Sequence, residues 1–222
     1  MQVEWYGQSA FRLSADDVTV AIDPFGDMTP IVGRRRWEYP PIADLRADLL
    51  LVTHEHLDHN GVEVVTGDPH TIRSTTGTFA GTPVGEVVGV ASEHDEAAGT
   101  QRGPNTLFVF SLGGLRIAHL GDLGQRALRP EQLAALGQVD VLIAPVGGGP
   151  TIGAAQAWEI AEQVGARVVL PMHYRTERID FLEPVDALLG LAARAERLPE
   201  PVFELELPPD GAPPLVAVPA TP

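Results

Sequence analysis

The sequence predicts a globular domain of mixed α/β class. Three observations carry this: β-type runs succeed one another through the first 120 residues, helical and strand-like segments alternate after Pro130, and the composition is that of a packed protein. Of 222 residues 44% are hydrophobic and 20% charged, with 23 Gly and 20 Pro. This balance supports a core with many turns and excludes a coiled coil, a collagen or a wholly disordered chain. The length fits one large domain, expected over 1–207, followed by a Pro- and Ala-rich, loosely packed tail over 208–222.

The elements follow in order. Gln2–Tyr6, Ala10–Ser14 and Val18–Ile22 are β-type runs punctuated by Gly7-Gln8 and Asp16-Asp17, as in a β-meander. Asp23-Pro24-Phe25-Gly26 stops it, and the stretch to Pro41, without a period, is expected to be a loop. Its Arg34-Arg35-Arg36 reads either as a solvated loop or as a cationic rim over a site. Asp48–Thr53 is an apolar run without alternation, suited to a strand covered on both faces. Further strands are expected at His70–Ser74, Glu86–Ser92, Thr106–Ser111 and Leu115–Leu120, the last two joined by Gly113-Gly114. Glu131–Leu136 looks helical, Val139–Ala144 and Arg167–Leu170 read as strands, and Ala154, Ala157, Trp158, Ala161 and Val164 recur at helical spacing. Pro184 opens a helix with Val185, Leu188, Leu189 and Ala192 on one face, and Val202–Leu207 closes the order.

Asp and Glu number 30 against 15 Lys and Arg, a net charge of −15 that repels nucleic acid and anionic membranes. The start has neither a basic nor an apolar signal region, and the uncharged run Val141–Trp158 is broken by Pro and Gly, so a soluble, cytoplasmic protein is expected. With no cysteine, a metal would have to be held by His and carboxylate.

Three of the seven histidines fall in Thr53-His54-Glu55-His56-Leu57-Asp58-His59, directly after an expected strand. If the chain leaves that strand extended, His54 and His56 share a side and can grip one metal. A turn at Asp58-His59 aims these two from another direction, at a second ion nearby.

This H-x-H-x-D-H segment resembles the metallo-β-lactamase-fold hydrolases, and the likeness extends over most of the chain. It implies a four-layer αββα sandwich with metals at one edge of the sheets. It also implies three further ligands: His94 in Ser92-Glu93-His94-Asp95, Asp122 in Gly121-Asp122, and His173 in Pro171-Met172-His173-Tyr174. By the resemblance His54, His56 and His94 hold one ion, Asp58, His59 and His173 the other, and Asp122 bridges them. His119 is the competitor to His94; it alternates with Leu115 and Ile117, which also suits a buried, hydrogen-bonded histidine supporting the site. Asp23, matching an Asp-Pro of the family, is expected to orient a ligand, and His70 to lie at the surface.

Tyr6-Gly7-Gln8-Ser9, Asp23-Pro24-Phe25 and Pro171-Met172-His173-Tyr174 look most like the branch containing ascorbate-6-phosphate lactonase, although Gln8 stands where that branch shows His and Leu123 where it shows Thr. The resemblance implies a hydrolase with two divalent ions, zinc first, manganese or iron otherwise. Two cations sharing a water lower its pKa from about 15.7 towards about 7. Asp58 is the candidate to orient the resulting nucleophile and to pass a proton to the leaving group. Tyr174 and Arg175 are read either as substrate contacts or as purely structural. The expected substrate is a small ester, lactone or phosphoester, anionic in view of the cationic centre. Two other functions stay open: a nuclease or phosphodiesterase resembling the transfer-RNA 3′-processing endonucleases, against which the acidic charge argues, and a non-enzymatic metal- or partner-binding protein on a hydrolase scaffold.

Overall fold

The N-terminal runs form β1 (Gln2–Gly7), β2 (Ala10–Ala15) and β3 (Val18–Ile22), an antiparallel meander with Val3 opposite Leu13 and Leu13 opposite Val20. Alternation sends Val3, Trp5, Phe11, Leu13, Val20 and Ile22 to one side, where all are buried between two sheets. This computed structural model describes residues 1–32 and 34–222; Gly33, within the expected Arg-bearing loop, lies outside the described residues.

A short β4 (Leu45–Arg46) precedes β5 (Leu49–Val52), which runs parallel to β3. The two-residue β6 (Val65–Thr66) pairs with β4, and β7 (His70–Arg73) lies parallel to β5 on its other side. The apolar run of β5 is explained by burial on both faces. Leu49 and Leu51 enter the core between the sheets, while Leu50 and Val52 join Phe25, Trp37, Tyr39 and Ile42 in a second cluster outside.

The packed sheets and their helices give the expected mixed α/β class, and this second cluster forms the outer layer on the first sheet. Among the described residues that sheet's outer face is covered by the irregular stretches 24–32 and 34–44 and a 3-10 turn at Val62–Val64, not by an α-helix. Prolines 24, 30, 40 and 41 interrupt any helix there. The aromatic pairs Phe25–Trp37 and Trp37–Tyr39, with ring centroids 5.1 and 5.4 Å apart, supply the apolar cover instead.

The second sheet collects β8 (Gly77–Thr82), β9 (Gly85–Glu93), β10 (Pro104–Leu112), β11 (Leu115–His119), β12 (Val141–Pro145) and β13 (Val168–Met172). Helices α1 (Pro130–Leu136), α2 (Ala154–Gln163) and α3 (Asp186–Leu191) accompany it, α2 turning Ala157, Ile160 and Ala161 to the core. The remaining strands are β14 (Arg194–Arg197), β15 (Val202–Glu204) and β16 (Leu215–Val218). The sheet orders are β15-β1-β2-β3-β5-β7 and β14-β16-β13-β12-β11-β10-β9-β8.

The loosely packed tail expected over 208–222 is therefore corrected. Leu215–Val218 is a buried strand lying between β13 and β14 and parallel to both. Its four apolar residues satisfy two strand edges that would otherwise be open. No helix among the described residues is long and apolar enough to cross a membrane.

The topology decides where side chains can meet. β3 and β5 are parallel; β9 is related to β11 through two antiparallel pairings, so it too runs with β11, β12 and β13. The C-terminal ends of β9, β11 and β13 thus share one edge of their sheet, and the Thr106 N–H donates to the Thr53 carbonyl at 3.0 Å to join it to the end of β5.

Candidate metal centre

Every residue of the site leaves a strand at this shared edge. Asp23 follows β3, Thr53–His59 follow β5, His94 follows β9, Gly121-Asp122 follow β11 by one residue, and His173 follows β13. Asp122 lies at the centre. Its carboxylate is 3.3 Å from His59 Nε2, 3.1 Å from His94 Nε2 and 3.2 Å from His173 Nε2. His54 Nε2 and His56 Nδ1 are 3.0 Å apart, and His59 Nε2 is 3.8 Å from Asp58.

Three groups of donor atoms lie within 4.8 Å of one another: His54, His56 and His94; His54, His59 and Asp122; Asp58, His59 and His173. The structure therefore brings together all seven ligand candidates, with the first and third groups divided as the resemblance implies and Asp122 between them.

The surrounding hydrogen bonds fix which ring nitrogen faces inward. Thr53 donates its hydroxyl proton to Asp23 Oδ2 at 2.7 Å, so the same oxygen accepts from His54 Nδ1–H at 3.0 Å and leaves His54 Nε2 bare. His94 Nδ1–H donates to the Pro150 carbonyl at 3.1 Å, and His59 Nδ1–H to Asp23 Oδ2 at 2.9 Å. In each ring the lone pair of Nε2 points into the cluster, as metal coordination requires.

The electrostatics agree with a cation site. Burial, reinforced by the neighbouring His59, holds His54 neutral, and burial beside His94 does the same for His56. Asp122 is wholly buried, yet His173 and His59 keep it well below the usual carboxylate range. His59 is raised against the cost of its burial by Asp122, Asp58 and Asp23, so these carboxylates call for positive charge here. His59 Nε2, Asp122 Oδ1 and His173 Nδ1 are buried with no hydrogen-bond partner. Unpartnered polar atoms are costly inside a protein, and nitrogen and oxygen donors of this kind suit zinc, manganese or iron. The residues fit a metal.

The backbone is held in unusual conformations to achieve this. Asp23 and His173 have φ of 46° and 49°, and so does Gln8, at 49°. Gly121, at φ 53°, has no room for a side chain: a Cβ would lie 2.3 Å from Asn105 Oδ1. That same oxygen accepts from the Asp122 N–H at 3.0 Å, anchoring the central carboxylate.

His119 and His94 are thereby told apart. The Gly121 N–H donates to His119 Nδ1 at 3.1 Å and His119 Nε2–H donates to the Ser9 carbonyl at 3.2 Å, so both nitrogens of this fully buried ring are occupied. His119 supports the Gly121 turn and is not among the donor groups. His70 is exposed on β7.

A cleft of about 150 Å³ opens over the centre, lined by Arg35, His56, Leu57, Asp58, Arg102 and Phe181 among others. Tyr174 and Arg175 do not line it, which corrects their reading as substrate contacts. After the left-handed turn at His173 the chain heads away: Tyr174 stacks on Trp5 with centroids 5.5 Å apart, and both residues line a separate cavity with Asp186 and Arg197. Of the arginine run, Arg36 pairs with Glu38 and Arg35 faces the cleft.

Two residues gain a role that sequence reasoning missed. Gln8 Nε2 donates to Asp58 Oδ2 at 3.3 Å, and its only sequence signal was the departure from the branch pattern. Arg102, on an irregular loop, had none.

Comparison with known proteins agrees with the geometry. The family described as beta-lactamase superfamily domain matches residues 2–173. A UPF0173 protein of Pyrococcus abyssi is 30% identical over 196 residues, covering 79% of this chain and 84% of the relative. A UPF0173 metal-dependent hydrolase of Archaeoglobus fulgidus is 28% identical over 220 residues, covering 87% and 92%. A Thermotoga maritima protein assigned to the Zn-dependent hydrolases of the metallo-beta-lactamase superfamily superposes with a TM-score of 0.78 at 32% identity, over 98% of this chain and 97% of its own.

Proposed function

The chain belongs to the beta-lactamase superfamily, and from that premise we propose that it is a metal-dependent hydrolase of a small ester, lactone or phosphoester. The observation that carries this reading is the contact of one buried carboxylate, Asp122, with His59, His94 and His173 at 3.1–3.3 Å, from four separate strand ends. His54, His56 and His94 would hold one ion and Asp58, His59 and His173 a second, with Asp122 shared. Divalent cations there supply electrophilic polarisation of the substrate and a nucleophile drawn from water at neutral pH.

The chain's own residues do the rest. Asp23 fixes the orientation of His59 and, through Thr53, of His54. Asp58, half-buried at the cleft, has one oxygen held by the Gln8 amide, and it is the group placed to carry a proton to the leaving group. The likeness of Tyr6-Gly7-Gln8-Ser9 and Asp23-Pro24-Phe25 to the lactonase branch supports a small substrate, as does the confined cleft.

The test is elemental analysis of the saturated protein together with a screen of lactones, phosphodiesters and thioesters after loading with zinc or manganese. Two ions per chain, with His59→Ala retaining fewer, and chelator-sensitive turnover of one class are expected. A single ion untouched by His59→Ala would overturn the dinuclear reading, and turnover unaffected by chelation would overturn the hydrolase mechanism.

A further inference from the structure

We propose that Arg35 and Arg102 form a two-armed clamp for the anionic group of the substrate, whose scissile bond lies over the His/Asp centre between them. The inference rests on the hydrolase reading and adds the substrate's charge and the residues that select it.

The two arginines line the cleft from distant parts of the sequence. Arg35 comes from the loop over the first sheet, its Cζ 4.7 Å from the Phe181 ring centroid. That stacking holds a flexible side chain at the cleft without neutralising it. Arg102 comes from the loop between β9 and β10, and it lines both this cleft and an adjoining cavity of about 200 Å³; His56 also belongs to both. Among the described residues no carboxylate lies within ion-pairing distance of either guanidinium. Among the described residues seven of the 15 arginines pair with a carboxylate, and of the eight that do not, Arg35 and Arg102 are the two that line this cleft; in a chain of net charge −15 that pair of free cations at one site points to an external anion.

The Arg102 loop is built rather than loose. The Asp95 carboxylate accepts four backbone N–H groups, from Ala97, Gly99, Gln101 and Arg102, at 2.7–3.0 Å. The loop is then tied to the ligand strand by His94 N–H donating to the Gly103 carbonyl at 3.1 Å. Asp95 is thus a positioning residue, acting through Arg102. Leu57, 39% exposed, and Phe181 line the same cleft, so the substrate also carries a short apolar portion. The surrounding acidic surface still repels a long polyanion, which confines the clamp to small molecules.

The experiment uses the zinc-loaded full chain and phenyl phosphate as probe, with binding read by calorimetry. Arg35→Gln and Arg102→Gln are each expected to weaken binding about tenfold, the loss of one charge-assisted contact, and to flatten its salt dependence. Asp95→Asn is expected to weaken binding in the parent and to add little in Arg102→Gln, since it acts through that residue. For 4-nitrophenyl succinate, an anionic ester, both arginine variants should raise KM about tenfold more than for neutral 4-nitrophenyl acetate. Parent-like phenyl phosphate binding in both arginine variants, or none in the parent, overturns the clamp. Failure to hydrolyse either ester counts against the hydrolase reading instead, and leaves the binding result to judge the clamp.

Discussion

Both carboxylate oxygens of Asp23 are committed to positioning, Oδ1 to the Thr53 N–H and Oδ2 to the Thr53 hydroxyl and His59 Nδ1. Asp23→Asn places an amide among these donors, so metal affinity should fall about 10–100-fold, measurable by competition with a chromogenic chelator. The two competing histidines separate by readout. His94→Ala should weaken metal binding sharply and cost the metal-free chain less stability than His119→Ala, since only the Pro150 carbonyl loses its donor. His119→Ala should keep the metal but lower unfolding free energy by about 2–4 kcal/mol, because it empties a buried site and leaves the Ser9 carbonyl and Gly121 N–H without partners. Denaturant titration of the metal-free variants checks the difference. At this scale the sequence was legible where ligands are contiguous, as in His54–His59, because strand geometry relates i to i+2 directly. Gln8 and Arg102 were not, since each reaches the site through a loop whose path leaves no period to read, and the arginine run offered Arg35 only as one of two readings.

Loops between elements carry a second set of constraints. Gly124 packs so closely on the strand β9 exit that a Cβ would lie 2.4 Å from the His94 backbone carbon. Gly124→Ala must therefore push His94 away from Asp122, and loss of metal affinity together with a lowered Tm is expected. On the other side of the site, the Arg73 guanidinium of β7 grips Glu55, holding that carboxyl down to about 2. The pair's contribution is complete above the ordinary Glu value of about 4.3 and is lost as pH falls through the folded value. Arg73→Ala should return the Glu55 titration towards about 4.3, as carbon-detected NMR would show, with little change in Tm because the pair is exposed. Elements with long apolar or periodic runs, such as β5, β12 and α2, were readable for the same reason that they are stable, burial on defined faces. β8 and β14, largely exposed, carry no such pattern.

Across the whole molecule the least legible feature was the C-terminal return. Flanking prolines concealed Leu215–Val218, although its four residues are all buried in the second sheet. A chain cut after Leu207 should consequently lose cooperative unfolding and expose apolar surface, detectable by dye binding, where a true tail would have been dispensable. The cover of the first sheet by aromatic loop rather than helix was equally hidden, because contacts among Phe25, Trp37 and Tyr39 have no sequence period. Strand β15 pairs with β1, matching Gln2 to Glu204, and so closes the first sheet with residues from the opposite end of the chain. During synthesis β1 therefore emerges some two hundred residues ahead of its outer partner. β13 likewise waits for β16. Both sheets present open edges through most of that interval, so folding is slow to commit and its chief hazard is edge-to-edge association of nascent chains.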